Sequence, residues 1–221
     1  MTFISTPRLV LKPLQSVHTL CRRALLLLAL LPTTLSAGEI EVTFWNVENL
    51  FDTTDDPTVE GDEEFTPDGS KKWTENRVEI KLNNLVRVIS DLNDGTGPEL
   101  LGLSEIENRA ILDRLVIELK EKTKRDYQIV HTESPSYRGI DCALLFDPAV
   151  ATLTSKQFHR IPNTTTRDIV EAELEIESHR LFVFVNHWPS RRSPDEARVA
   201  VAEVLRRRVD ALLSKDPATD F

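Results

Sequence analysis

IEVTFWN, residues 40–46, alternates apolar and polar side chains and so predicts a half-buried β-strand. The residues that follow, VENLF, contain no glycine or proline that would form an ordinary turn. The strand therefore ends on an asparagine, Asn46, close in sequence to the carboxylate of Glu48. Polar side chains at the end of a buried strand are held rigidly, which is where many folds present functional groups.

Outward from this strand, periodicity predicts an alternation of helices and strands. Helices are predicted over about 75–92, after an N-cap at Asn108, and from a capping box at SPDE (193–196) to about residue 213. Strands are predicted at ELLGLSE (99–105), YQIVH (127–131), DCALLF (141–146), DIVEAELEI (168–176) and RLFVFVNHW (180–188). The glutamates of DIVEAELEI indicate one solvated face, whereas RLFVFVNHW is apolar on both faces and is expected to be central. This order predicts an α/β domain with two packed sheets and helices outside them.

The first 37 residues differ from the rest because they carry four basic side chains and no acidic ones. The apolar run ALLLLALL (24–31) and the small residue Ala37 complete the pattern of a cleaved signal peptide. A membrane anchor is the alternative, but eight apolar residues fall short of the roughly 20 that span a bilayer. We therefore expect one domain over residues 38–221, secreted or periplasmic, with no stable membrane anchor after cleavage.

The chain of 221 residues has a net charge of −9, and loss of the basic leader makes the remaining domain more acidic. Such a balance argues against a passive nucleic-acid binder but not against an enzyme that meets phosphate through a metal ion. Cys142 is the single cysteine after the leader, so no internal disulfide is expected there and a core position is favoured. The acidic stretch 52–73 could bind calcium, but its spacing fits no twelve-residue calcium loop and a solvated loop is favoured.

Several polar side chains sit at the ends of the predicted strands. Glu105 would suit a hard metal ion such as Mg²⁺, although a surface or helix-capping glutamate is the simpler interpretation. His187 could act on a phosphate, although a hydrogen-bonded core histidine is commoner. For Asp141 and Arg167 the alternative is surface ion pairing, and Arg138 could be a plain loop residue. None of these residues is specific alone.

Together the segments are specific. WN, LSEIEN, SYRGIDCALLF, TTTRDIV and VNHWPSR, in this order, resemble the endonuclease/exonuclease/phosphatase family over essentially all of the chain after the leader. The acidic loop followed by TENR is similar to a secreted bacterial subgroup labelled as nucleases. The resemblance implies a four-layer α/β sandwich with two packed mixed sheets. It also implies phosphoesterase chemistry that depends on Mg²⁺, or on Mn²⁺ or Ca²⁺.

The resemblance also implies roles for individual residues. Asn46 would organise the metal and phosphate, Glu105 would bind the metal, and His187 would donate to a phosphate oxygen, with a protonated ring stabilising negative charge. Asp141 lies in the strand whose acidic residue often supports that histidine, with its register left open. Arg167, Asn186 and Arg138 would contact phosphate, and Trp188 and Arg191 belong to the same motif with weaker assignments.

The sequence departs from the family at two motifs. Neither Gly-Asp-x-Asn nor Ser-Asp-His occurs, so the chain is expected to be C-terminally truncated, with an incomplete sandwich and half a site. The first hypothesis is a monomeric divalent-metal phosphodiester hydrolase, an endonuclease or exonuclease acting on nucleic acid. The alternatives are an inactive remnant that binds metal or phosphate, and a phosphatase-like or sphingomyelinase-like member of the family.

Overall fold

The computed structural model describes Arg8–Val10 and residues 39–221. Their strands are β1 (Arg8–Val10), β2 (Glu39–Leu50), β3 (Leu100–Ile106), β4 (Gln128–His131), β5 (Asp141–Phe146), β6 (Thr152–His159), β7 (Ile169–Ile176) and β8 (His179–Val185). Their helices are α1 (Glu75–Gly95), α2 (Arg109–Thr123) and α3 (Asp195–Lys215), with a short 3-10 turn at Glu63–Phe65. Apart from β1, the leader predicted over residues 1–37 lies outside the described residues. In the described part, none of the helices has the length and apolar character needed to cross a membrane.

The strands form two sheets, packed face to face. The first has the order β1-β2-β3-β5-β4 and is mixed, because β2 and β3 run parallel while the other pairs are antiparallel. The second has the order β6-β7-β8 and is antiparallel rather than mixed as expected. One apolar layer joins α1 and α2 to the first sheet, a second lies between the sheets, and a third joins α3 to the second sheet. The four-layer α/β sandwich is therefore confirmed.

Short-range sequence patterns correctly predicted several features in the first half of the fold. The regular part of α1 ends as predicted at Leu92, where the backbone turns extended and Asn93 and Asp94 take φ of +51° and +53°. Asn108 caps α2, accepting a hydrogen bond from the backbone N–H of Ile111 at 3.0 Å. Cys142 is buried in the layer between the sheets, as expected.

The second sheet differs from expectation in two respects. The predicted solvated face of β7 is confirmed at Glu175, which is exposed, but not at Glu171, which is fully buried and bonded by both Arg208 and His159. The predicted central position of β8 is not found in the described sheet, where β8 is an edge strand. It pairs with β7 on one side, and on the other side it makes a single parallel bridge, from Leu181 to Asp220. Both faces of β8 are apolar because one packs on the first sheet and the other on α3.

Two further features differ from the prediction, one a strand and the other a helix cap. The strand β6 was not predicted, because its alternation of half-buried and exposed positions is weak. The predicted capping box does not form: α3 starts at Asp195 after Pro194, with no side-chain cap. Arg198 instead donates to the backbone carbonyls of Ser190 at 2.8 Å and Ser193 at 3.1 Å, which fixes the loop before the helix.

Candidate active site

Strand β3, an interior strand of the first sheet, carries Glu105 on a bulge near its C-terminal end. The pairing of β3 with β5 shifts register between Ser104 and Ile106, and Glu105 between them has a φ of +65°. A left-handed conformation costs a residue with a side chain about 1–2 kcal/mol and is typical of functional positions. The bulge leaves Glu105 half-buried, lining a cleft between the two sheets.

Strand β2 has a second bulge, and it lies where the sequence offers no ordinary turn. Its register against β3 shifts between Asn46 and Leu50, and Glu48 and Asn49 take φ of +56° and +65°. The side-chain amide of Asn46 donates to Oε1 of Glu105 at 3.2 Å, and its Oδ1 accepts from the backbone N–H of Glu48 at 2.9 Å. An amide nitrogen is no metal ligand, so in this arrangement Asn46 orients the carboxylate of Glu105. Its predicted role as a metal ligand stays a prediction.

The cleft, of about 410 Å³, brings four of the predicted site residues together. Oε1 of Glu105 lies 3.7 Å from Nε2 of His187 and 3.8 Å from Nη1 of Arg138. Arg167 and the exposed ring of Trp188 line the same cleft. One carboxylate thus faces two guanidinium groups and an imidazole.

Several polar atoms around the cleft lack a hydrogen-bond partner among the described residues. They include the buried Nε of Arg167, Nδ1 of His187 and Oγ1 of Thr166. Buried donors without partners cost free energy, and they mark places where a ligand completes the bonding. The three residues that carry these atoms all line the cleft, to which Arg138 and Arg167 bring positive charge.

Electrostatics point the same way. Burial lowers the pKa of His187 to about 4, and Arg167 and Arg138 act in the same direction. Burial and the charge of Arg138 also lower the pKa of Arg167. With this pKa, His187 offers a neutral N–H donor when the cleft is empty, and its role as an imidazolium towards a bound phosphate stays a prediction. Both shifts come first from burial and then from neighbouring cations, and the carboxylate of Glu105 opposes them only in part.

Two predicted site residues lie elsewhere. Asp141 is buried at the start of β5, and its oxygens meet Nε2 of His131 at 3.2 Å and the backbone N–H of Ser134 at 2.9 Å. Within the described residues, these contacts join Asp141 to the end of β4 and to the loop that follows it. The structure therefore supports no partnership between Asp141 and His187. The amide of Asn186 donates to the backbone carbonyl of Phe184 at 3.1 Å, and Asn186 does not line the cleft.

Sequence reasoning missed His131, which ends β4 beside Asp141. A signal was present, because His131 is a polar residue at the end of an apolar strand, the criterion that selected Glu105 and His187. Thr166 was missed as well, and its position next to Arg167 in sequence is the only clue to it.

The donor set of the cleft suits a divalent cation. Mg²⁺ in proteins commonly takes only one or two carboxylates and fills its remaining positions with water and phosphate oxygens. Glu105 supplies one such carboxylate in the lining of the cleft, so the residues present fit Mg²⁺, and equally Mn²⁺ or Ca²⁺.

Comparisons with known proteins identify the family and the fold. A sequence model of the Endonuclease/Exonuclease/phosphatase family matches residues 41–221. The structure of TDP2 from C. elegans superposes with a TM-score of 0.55 at 16% identity, covering 81% of this chain and 45% of that one. Humanized D. rerio TDP2 gives a TM-score of 0.51 at 15% identity, covering 76% of this chain and 54% of that one. At these identities the likeness shows the fold alone, and this chain spans about half the length of either structure. No curated protein sequence matches the chain.

Proposed function

The chain belongs to the endonuclease/exonuclease/phosphatase family, and from this premise we propose that it is a divalent-metal-dependent phosphodiester hydrolase. One observation carries the proposal: Glu105, Arg138, Arg167 and His187 converge on a single cleft in which donors lack partners. A carboxylate for a cation beside donors for an anion is the arrangement that phosphoryl chemistry requires.

Each residue has a part in this proposal. Glu105 holds Mg²⁺, and Asn46 fixes the orientation of its carboxylate. The bound ion supplies Lewis-acid polarisation of a phosphoryl oxygen. Arg138 and Arg167 bind the non-bridging oxygens, and His187 donates a ring N–H to one of them. Because His187 is neutral when the cleft is empty, an incoming phosphate raises its pKa and strengthens that hydrogen bond.

We propose nucleic acid with unpaired bases as the substrate. Tyr137 and Trp188 line the same cleft, called the phosphate cleft from here on, with 60% and 39% of their surface exposed. Such rings stack on bases without regard to sequence. An extended duplex is less favoured, because the chain is acidic and two arginines of α3 are already paired with carboxylates. Arg206 bonds Asp210, and Arg208 bonds Glu171.

Export and oligomeric state also belong to the proposal. We propose that the leader directs the protein to the periplasm or the medium, where it acts as a monomer. Sequencing of the mature N-terminus after expression in a secreting bacterium tests the first statement, with a start near residue 38 expected. Light scattering of the purified protein tests the second.

The experiment compares three substrates under one set of conditions. The purified chain is incubated with Mg²⁺ or Mn²⁺ and with single-stranded DNA, bis(p-nitrophenyl) phosphate or p-nitrophenyl phosphate. We expect cleavage of the two diesters, none with EDTA, and a loss of about 100-fold in His187→Ala. His179→Ala is the matched control, since His179 lies at the far end of β8 from His187.

The remaining outcomes separate the alternatives. Hydrolysis of the monoester alone would replace the diesterase by a phosphatase. No turnover from a protein whose circular dichroism shows the fold, with phosphate binding retained, would favour an inactive binding domain. Activity that survives His187→Ala would overturn the site itself.

A further inference from the structure

A second cleft, of about 900 Å³, adjoins the phosphate cleft and shares Tyr137 and Thr165 with it. Its lining is rich in carboxylates: Asp52, Asp55, Asp56, Glu60, Asp62, Glu107, Glu133 and Asp141. Among the described residues, no lysine or arginine lines it. Asp62 is only 2% exposed, and its Oδ1 is buried without a partner. Oδ2 of Asp62 accepts from the backbone N–H of Asp56 at 2.8 Å, so Oδ1 is the oxygen of this carboxylate left for a further partner.

Three side chains of this region have the geometry of metal ligands. His131 ends β4, Asp141 begins β5, and Glu133 lies on the loop between them. One ligand atom from each lies within 4.8 Å of the other two, and Nε2 of His131 is 3.2 Å from Oδ2 of Asp141. Two ligands of one tetrahedral zinc ion are about 3.3–3.6 Å apart, because each bond is about 2.0–2.2 Å. Glu133 is exposed on a loop, so a small movement closes the group.

Proximity alone makes this group unstable without a positive partner. A carboxylate oxygen of Glu133 lies within 4.8 Å of one from Asp141, and Asp141 is 2% exposed. Two ionised carboxylates at this distance require a shared proton, a protonated His131 or a bound cation.

We propose that His131, Glu133 and Asp141 form a second divalent-metal site, separate from Glu105, and that Zn²⁺ is the ion it takes. One imidazole nitrogen and two carboxylate oxygens form a mixed set that suits Zn²⁺, whereas Ca²⁺ prefers oxygen donors alone. The acidic residues around the group attract the cation, and water would fill the fourth position. The site does not depend on the proposed hydrolase activity.

Such an ion would restrict the motion of the loop between β4 and β5, which lines part of the phosphate cleft. The connection from His131 to Asp141 carries Tyr137 and Arg138, and its two ends supply two of the three ligands. A metal at the base of the loop stabilises the folded chain, because it binds only where the ligands are brought together. Zn²⁺ is thus expected to raise the melting temperature and to hold Arg138 at the phosphate cleft.

Zinc titration of the full, untagged chain tests the proposal. Glu105→Gln serves as the background, so that the site at Glu105 does not contribute. Calorimetry is expected to show one Zn²⁺ per chain, and zinc at about 100 times the dissociation constant should raise the melting temperature by about 5–10 °C. Adding Glu133→Gln, an exposed and isosteric change, should weaken zinc binding by at least about 10-fold.

Glu60→Gln is the matched control, because Glu60 is exposed and lines the same cleft without belonging to the group. This variant should bind zinc within about twofold of the background, given the weak effect of a single screened surface charge. His131→Asn, checked for folding by circular dichroism, should lose zinc binding as Glu133→Gln does. Absence of bound zinc, equal weakening by Glu60→Gln and Glu133→Gln, or binding of Ca²⁺ as tight as that of Zn²⁺ would each overturn the proposal.

Discussion

Oε1 of Glu105 lies 3.7 Å from Nε2 of His187, although the two residues belong to different sheets. Glu105 is on β3 of the first sheet, and His187 follows β8 of the second. The distance is set by the apolar layer between the sheets, in which Leu100 and Val185 are buried. The candidate site is therefore a product of sheet packing, and its residues can be tested one at a time.

Replacing Glu105 by glycine should separate activity from stability. Glycine adopts a φ of +65° without strain, so the variant should melt no lower than the unmodified chain despite losing the bond from Asn46. Loss of the metal-binding carboxylate should reduce diester hydrolysis by about 1,000-fold, corresponding to several kcal/mol. Thermal melts and initial rates measure the two effects. A marked drop in melting temperature would mean that Glu105 is held for structural reasons.

Asn46→Ala should lower activity about 10- to 100-fold with little change in the melting curve. Asn46 is half-buried and orients Glu105 through a single hydrogen bond of 3.2 Å, so its loss misplaces the carboxylate without opening a core cavity. Asn83→Ala is the control, since the exposed Asn83 bonds the carbonyl of Glu79 on its own helix. If Asn46→Ala unfolds at much lower urea than Asn83→Ala, its role is structural.

Glu107→Gln should change how stability depends on pH. Burial raises the pKa of Glu107 to about 8, with the charges of Asp52, Asp62 and Glu133 adding to the effect. Because this pKa is higher in the folded than in the unfolded chain, Glu107 favours folding fully below about pH 4.5 and loses that contribution as the pH rises through about 8. Glutamine keeps an oxygen to accept the bond from the N–H of Asp52 and removes the titration.

Urea unfolding in EDTA at about pH 5 and about pH 8.5 measures this effect. The Glu107→Gln variant should be about 1–3 kcal/mol more stable than the unmodified chain at the higher pH, with a smaller difference at the lower pH. Identical pH dependence in the two chains would show that the carboxyl of Glu107 is not perturbed.

Arg208→Met should destabilise the fold, whereas Arg206→Met should not. Arg208 donates to both oxygens of the fully buried Glu171 at 2.7 and 2.6 Å, and its removal leaves that carboxylate with His159 alone. A loss of about 3 kcal/mol in the free energy of unfolding is expected. Arg206 pairs with Asp210 on an exposed surface, so its change should cost less than about 0.5 kcal/mol. Equal urea midpoints for the two variants would contradict the buried ion pair.

Short-range signals in the sequence determined much of this protein. The asparagine cap of α2 and the end of α1 near Leu92 depend only on residues a few positions apart, so they could be predicted. The order of helices and strands indicated the layered α/β fold, because each element could be recognised from the periodicity of neighbouring residues. Asn46, Glu105 and His187 were singled out as polar residues at strand ends, and the resemblance to the family supplied their expected roles.

Tertiary structure alone decided the rest. Glu171 looked solvated because its strand alternates, yet it is buried by Arg208, 37 residues later in the chain. Asp141 was expected near His187 but bonds His131, since the pairing of β4 with β5 sets its neighbours. The lowered pKa of His187 arises from burial and from two arginines on separate loops. Periodicity reports which side of a strand is apolar, but the partner that covers the other side, and the charge that meets a buried group, are fixed only when distant segments pack.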